Sequence, residues 1–376
     1  MEQRHLAAKS HWYHETQSRP CPAETPVRVA DLPRVADAFL LDCPWPDTLC
    51  AADAPWLETA RALARLYFPP RVALDRLHTL SPYDRLSTAL TVAQVYGVQR
   101  LCSHYSARLA PEPGPDSSRE SNHRLTQITQ FARQLAGNPS CIDNAATRQL
   151  LSVGLTENDV VTFVHLIGFV GFQARVIAAL HAFNGMTARW LPGMDIPGDA
   201  PADRFLSLAE PAGEPALAPE PYTPPVTCGA DTAPLHPLSG VLARDPESWR
   251  LLNRLTVATP DAHTACLIRL LSARVTGSLP CFMAASHDWS LDQALPEAIR
   301  NGERAIHAWG HGHPRFREII EPVLLMIRAP SRIGAGHIAG LTARGLNSAG
   351  SFQLLTRAAL AGWINRLNIS LYGRPS

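Results

Sequence analysis

Residues 137–180 and 328–371 align with each other without a gap at an offset of 191, and this self-similarity constrains the fold most. Pro139 meets Pro330, Ser140 meets Ser331, and Gly154-Leu155 meets Gly345-Leu346. Gly171 meets Gly362 and Arg175 meets Arg366, with apolar positions matched between these anchors. Similarity at a fixed period indicates one structural unit used twice. Proline punctuates the arrangement. The chain holds 33 prolines, many of them in 186–237, which includes EPAGEPALAPEPYTPPV. Such a stretch breaks helices and reads as a linker without a packed core. The expected layout is an N-terminal arm (1–55, proline-rich over 20–33), a first domain (56–185), the linker (186–237) and a second domain (238–376).

Both units read as helical. RLSTALTVAQVYG (85–97) carries an apolar stripe at helical spacing, as does RLTQITQFARQLAGNP (124–139), which Gly137 and Pro139 stop. The stretch 141–154 reads as a helix ended by Gly154 in a left-handed cap. Thr156, with Asp159 three residues on, reads as a capping box for a helix over 157–183. That helix is apolar on nearly every side, so it belongs in a core or at a subunit interface. Its run VVTFVHLIGFVGF (160–172) includes His165 and is read as buried, not as a membrane span. Strand signals are nearly absent, and the fold class is all-α.

Composition excludes several functions. Net charge is +1, so the chain lacks the electrostatic footprint of a nucleic-acid or anionic-membrane binder. The N-terminus has no secretory apolar core. The 8 cysteines contain no CxxC pair and no disulfide spacing, which suits a reduced cytoplasmic protein. There is no GxGxxG, GxxxxGK[ST] or HExxH, so neither cofactor nor metal is expected. In HAWGHGHPRFRE (307–318), His307 and His311 have i,i+4 metal-ligand spacing, with His313 beyond them. Gly310 and Gly312 favour a solvated loop there instead. Arg175 and Arg366, in apolar surroundings, read as structural residues closing a salt bridge at a domain or subunit contact.

The stretch TGSLPCFMAASH (276–287) follows a helix with a glycine turn, a cysteine and a histidine. With the helices ending in GL-S/T-xx-D/E, it resembles the alkylhydroperoxidase-D-like / carboxymuconolactone decarboxylase superfamily. The resemblance covers roughly 75–183 and 245–373, and it implies two tandem alkylhydroperoxidase-like helical domains. Family members form trimers or hexamers of single domains, so a homo-oligomer, such as a trimer of two-domain chains, is implied. The family signature resembles E-(x)11-C-x-x-C-x-x-x-H. In it one thiolate attacks a peroxide, a second resolves the sulfenic acid, and the histidine and glutamate relay protons. Here, with Gly277 as the motif glycine, the first cysteine is Ser278, the second is Cys281, the histidine is Ala285 and the acid is Cys266. In the first domain Gly97 aligns, the cysteines become Val98 and Leu101, the histidine Tyr105 and the acid Leu86, while Cys102, His104 and Asp84 lie nearby.

Three functions are expected in turn. The first is a peroxidase-related protein with single-cysteine hydroperoxide reduction at Cys281, assisted by His287 or Cys266 and needing an external thiol reductant. The second is a catalytically inactive binding or scaffold protein of the same fold, with Cys281 a buried small hydrophobe. The third is a cofactor-free lyase or isomerase like the decarboxylase branch, using His104, Tyr105 or His287. A first-domain pocket would comprise Cys102, His104, Tyr105 and Asp84. His287 lies two residues past the family's histidine, a rotation of about 200° on a helix. That turns it away from Cys281 unless the helix starts late.

Overall fold

The structure is a computed structural model that describes residues 35–50, 54–188, 196–205, 215–220, 228–229, 231–259, 261–343 and 345–372. Among these residues all regular structure is helical and no strand occurs, as the sequence led us to expect. The first half comprises α1 (Leu57–Tyr67), α2 (Pro82–Tyr96), α3 (Gln99–Leu109), α4 (Arg119–Gly137), α5 (Asn144–Ser152) and α6 (Glu157–Phe183). The second half begins with α7 (Ser239–Leu242), α8 (Pro246–Arg254), α9 (Ala262–Thr276), α10 (Leu279–Asp288) and α11 (Ala294–Asn301). It continues through α12 (Glu303–Gly312), α13 (Pro314–Arg328), α14 (Ala335–Ala343) and α15 (Ser348–Tyr372).

Local chemistry sets the helix ends. Ser81 and Asp84 form a capping box that starts α2, with Pro82 in its first turn, and left-handed Gly97 closes it. Thr156 and Asp159 form the expected capping box of α6. Gly154 and Gly345 both take the left-handed conformation, with φ of 88° and 90°. The α4 helix starts earlier than its apolar stripe indicates because the Ser118 hydroxyl accepts from the Ser121 amide.

The apolar helices α6 and α15 pack against each other at the centre. Helix α6 is long and apolar enough to cross a membrane, but it is buried inside the protein. Their contact depends on Gly168. A Cβ there would lie 1.9 Å from Cδ1 of Trp363. Helices α2 and α4 flank α6, and α9 and α13 flank α15. The short helices cross over, α5 packing on α15 and α14 on α6, so the halves share one core.

The buried arginines also cross over, and among the described residues no carboxylate pairs with them, which corrects the salt-bridge expectation. Arg175 donates to the carbonyls of Gly171, Met326 and Ile327 at 2.8–2.9 Å. Arg366 donates to those of Gly362, Leu135 and Ala136 at 2.8–3.0 Å. Each residue of the second set lies 191 positions from its counterpart in the first. The carbonyls of Leu135, Ala136, Met326 and Ile327 are at the open ends of α4 and α13, which a helix leaves without intrahelical donors, while those of Gly171 and Gly362 lie one turn back on the arginine's own helix. A guanidinium fork satisfies two of them at once.

The stretch expected to lie outside any core is in part packed. Ala200, Phe205, Leu217 and Leu235 are buried. The Ala200 amide donates to the Val275 carbonyl at 3.0 Å, and Asp199 pairs with Arg328. Proline forbids long helix here, but an extended strap bonds to existing helix ends. The described part of the N-terminal arm is likewise packed, with Phe39 against Trp56, Phe169 and Phe172, and Trp45 against Phe352. Trp12 and the proline-rich stretch 20–33 lie outside the described residues.

Candidate functional site

In the second half, the turn at Gly277 joins α9 to α10 with φ of 85°. Cys281 sits in the first turn of α10, where a helix N-terminus favours thiolate. Burial overrides this. Only 5% of the residue is exposed, and burial pushes the thiol up to about 12, against smaller opposing effects of Ser278 and Arg269. The Arg269 guanidinium is itself paired with Asp288 at 2.9 Å. Helix α10 starts at Leu279, so His287 is turned about 200° away from the Ala285 position. Cys281 and Ala285 are buried, whereas the His287 side chain is 91% exposed and 3.6 Å from Asp288. His287 is therefore not part of a site with Cys281.

Cys266 faces α10, and its Sγ donates to the Ala285 carbonyl at 2.9 Å. Burial raises this thiol to about 11. Neither Cys266 nor Cys281 is in a disulfide. The strap closes over the turn. A Cβ on Gly277 would meet Ala200 at 2.9 Å, Arg204 at 3.0 Å and Ser140 at 3.1 Å. Arg274 donates to the Ala200 carbonyl, and Phe205 packs on Phe282 with ring centroids 5.0 Å apart.

The equivalent turn of the first half is open. Gly97, Val98 and Gln99 line a cavity of about 260 Å³, whose other wall includes Pro330, Ser331 and Ile333 from the second half. A second cavity of about 410 Å³ adjoins it and shares Gln99, His181 and Met186 with it. Arg100, His104 and Arg108 line this larger cavity. They stand at i, i+4 and i+8 on α3, one above the other on one face. Leu41, also on the wall, and its neighbour Asp42 have φ of 52° and 54°, a conformation that non-glycine residues avoid. The bond from Arg100 to the Leu41 carbonyl (2.9 Å) and those from the Ala36 and Asp37 amides to Asp42 hold this turn.

Of the four residues expected in a first-domain pocket, His104 lines the cavity and the others do not. Tyr105 turns into the core, where its hydroxyl donates to Gln173 at 2.6 Å and burial raises its pKa. Asp84 is taken by the Ser81 capping box and by Arg124 at 3.3 Å. Cys102 packs half-buried against the core. His104 is depressed to about 4, first by burial and then by Arg108. It is therefore neutral near pH 7 and a poor proton acceptor there. Arg100, Arg108 and His181 were missed from the sequence, although the basic i, i+4, i+8 stripe around His104 was readable.

The segment 307–318 is helical, not a loop, and its histidines do not converge. His307 lies near Glu303 and Glu321, with ligand atoms of the three within 4.8 Å of one another. A divalent cation spans such a gap, but Glu303 already pairs with Arg328 at 3.0 Å. His311 is exposed, and His313 stacks on Trp309 and lies 3.3 Å from Asp292. No family model matches the chain, and no curated protein matches it.

Proposed function

We propose that this chain is a ligand-binding protein without peroxidase chemistry, built from two fused alkylhydroperoxidase-like helical units, whose site is the open cavity of the first half. The contrast between the two turns carries the reading. A hydroperoxide-reducing cysteine needs a reachable thiolate. Cys281 is buried with its thiol pushed to about 12, and His287 faces solvent. The first half instead offers a cavity of about 410 Å³, in the size range of small-molecule sites, with a smaller one of about 260 Å³ adjoining it. The shared offset of the two arginine clusters supports the fusion of two like units. The lyase reading has less support, since His104 is too weak a base and Tyr105 is committed to Gln173.

The test uses Nile red, a neutral apolar dye that brightens when shielded from water. The native chain should bind it, and filling the cavity with Ala107→Phe or Ser103→Trp should abolish binding while circular dichroism stays unchanged. Equal binding by the filled, folded variants would refute the site.

A further inference from the structure

We propose that the first-half cavity takes an amphipathic carboxylate, its headgroup at Arg100 and Arg108 and its hydrocarbon body running toward Pro330 and Ile333. This rests on the binding reading above and names the class of ligand. The walls are graded. Arg100, His104 and Arg108 stand along the larger cavity, half-buried on one face of α3. No acidic residue lines either cavity among the described residues. The acid nearest His104 in effect is Asp42, whose carboxylate already accepts the Ala36 and Asp37 amides. Arg108 makes no ion pair among the described residues and lies 5.5 Å from the centre of the Phe68 ring. A guanidinium in that state suits a carboxylate, which it can hold through two parallel bonds.

The other end carries no arginine or lysine and is mostly apolar. Past the shared Gln99 and His181, the smaller cavity is walled by Val98, Ala178, Pro330 and Ile333, with Thr187 and Ser331 among them. A neutral ligand would leave the arginines unanswered, and a small hydrophilic anion would leave the apolar end wet. A chain of several carbons ending in a carboxylate answers both. Because Ile333 and Pro330 belong to the second half, such a ligand touches both halves of the chain.

Isothermal titration of the full chain with octanoate, 1-octanol and octylammonium at pH 7 tests this. Octanoate should bind at one site, at least roughly tenfold more tightly than octanol, a difference of about 1.4 kcal/mol. Octylammonium should bind most weakly. Arg108→Met should weaken octanoate roughly tenfold and leave octanol unchanged. Arg108 is the better variant because Arg100 also holds the Leu41 carbonyl. Ile333→Trp should weaken octanoate and leave butyrate unchanged. If octanol binds as tightly as octanoate and Arg108→Met changes neither, the carboxylate class is wrong while the binding site stands. If none of the three binds, the carboxylate inference is overturned, and failure of Nile red binding then removes the site as well.

Discussion

The turn at Gly97 and the turn at Gly277 have the same left-handed glycine and the same helix on either side, yet one opens on a cavity and the other is covered. The difference is the strap. Ala200 and Arg204 lie over Gly277, and Phe205 packs on Phe282 beside Cys281. At Gly97 the facing wall is Pro330, Ser331 and Ile333, with space between. Similar backbone chemistry thus yields a closed thiol in one half and a binding volume in the other. What covers a site decides its chemistry as much as the residues in it.

The largest expected effect probes the central helix pair, where the halves also differ. Gly168 and Phe172 of α6 are matched, 191 residues on, by Ala359 and Trp363 of α15. The larger ring requires the smaller residue opposite it. Gly168→Ala should destabilise the protein by about 3 kcal/mol or more in urea unfolding, since Trp363 is walled in. Adding Trp363→Phe should restore most of the loss. No restoration would mean that the clash is not what the glycine relieves.

Next come the arginines, where the halves are alike. Arg175→Lys and Arg366→Lys each replace a three-bond fork with a single ammonium and leave helix-end carbonyls unpaired. Each should cost about 2 kcal/mol, and the two costs should agree within about 1 kcal/mol. A one-sided loss would break the equivalence. It would point to Tyr96, whose ring lies 4.3 Å from the Arg175 guanidinium carbon and 5.8 Å from that of Arg366.

A pH-dependent effect, negligible at pH 7, belongs to α6 alone. His165 is fully buried beside Trp363, and among the described residues neither ring nitrogen has a hydrogen-bond partner. Burial lowers it to about 4. The unfolded chain then binds more protons between about pH 6.5 and 4, so stability falls as pH falls through that window and is unaffected above it. His165→Leu should flatten this acid limb, by at most about 3 kcal/mol at pH 4. An unchanged limb would place the acid sensitivity elsewhere.

Local chemistry made the fold largely legible. The Thr156–Asp159 box, the Gly137–Pro139 stop and left-handed Gly154 act within a few residues of themselves, and the structure places them as read. What failed depends on distant contacts. Gly310 and Gly312 argued for a loop, but Trp309 packs on Trp289 and Phe316, and that burial outweighs helix propensity. The packed part of the strap depends on helix ends that only the assembled fold supplies. The site was half legible. His104 sits beside the motif position, whereas Arg100 and Arg108 carry no motif and join the site only because α3 turns that face toward the cavity. Two of the three partners of each of Arg175 and Arg366 lie more than a hundred residues away and have no local signal.

The closed thiol and the open cavity are joined in one claim, and Cys281 tests it most directly. The reduced native chain is treated with hydrogen peroxide and with cumene hydroperoxide, sulfenic acid is trapped, and the labelled cysteines are mapped by mass spectrometry. With its thiol buried and pushed to about 12, Cys281 should label more slowly than the exposed Cys141. Fast, selective labelling at Cys281, lost in Cys281→Ser, would contradict the binding reading and make the thiol the working centre of the protein.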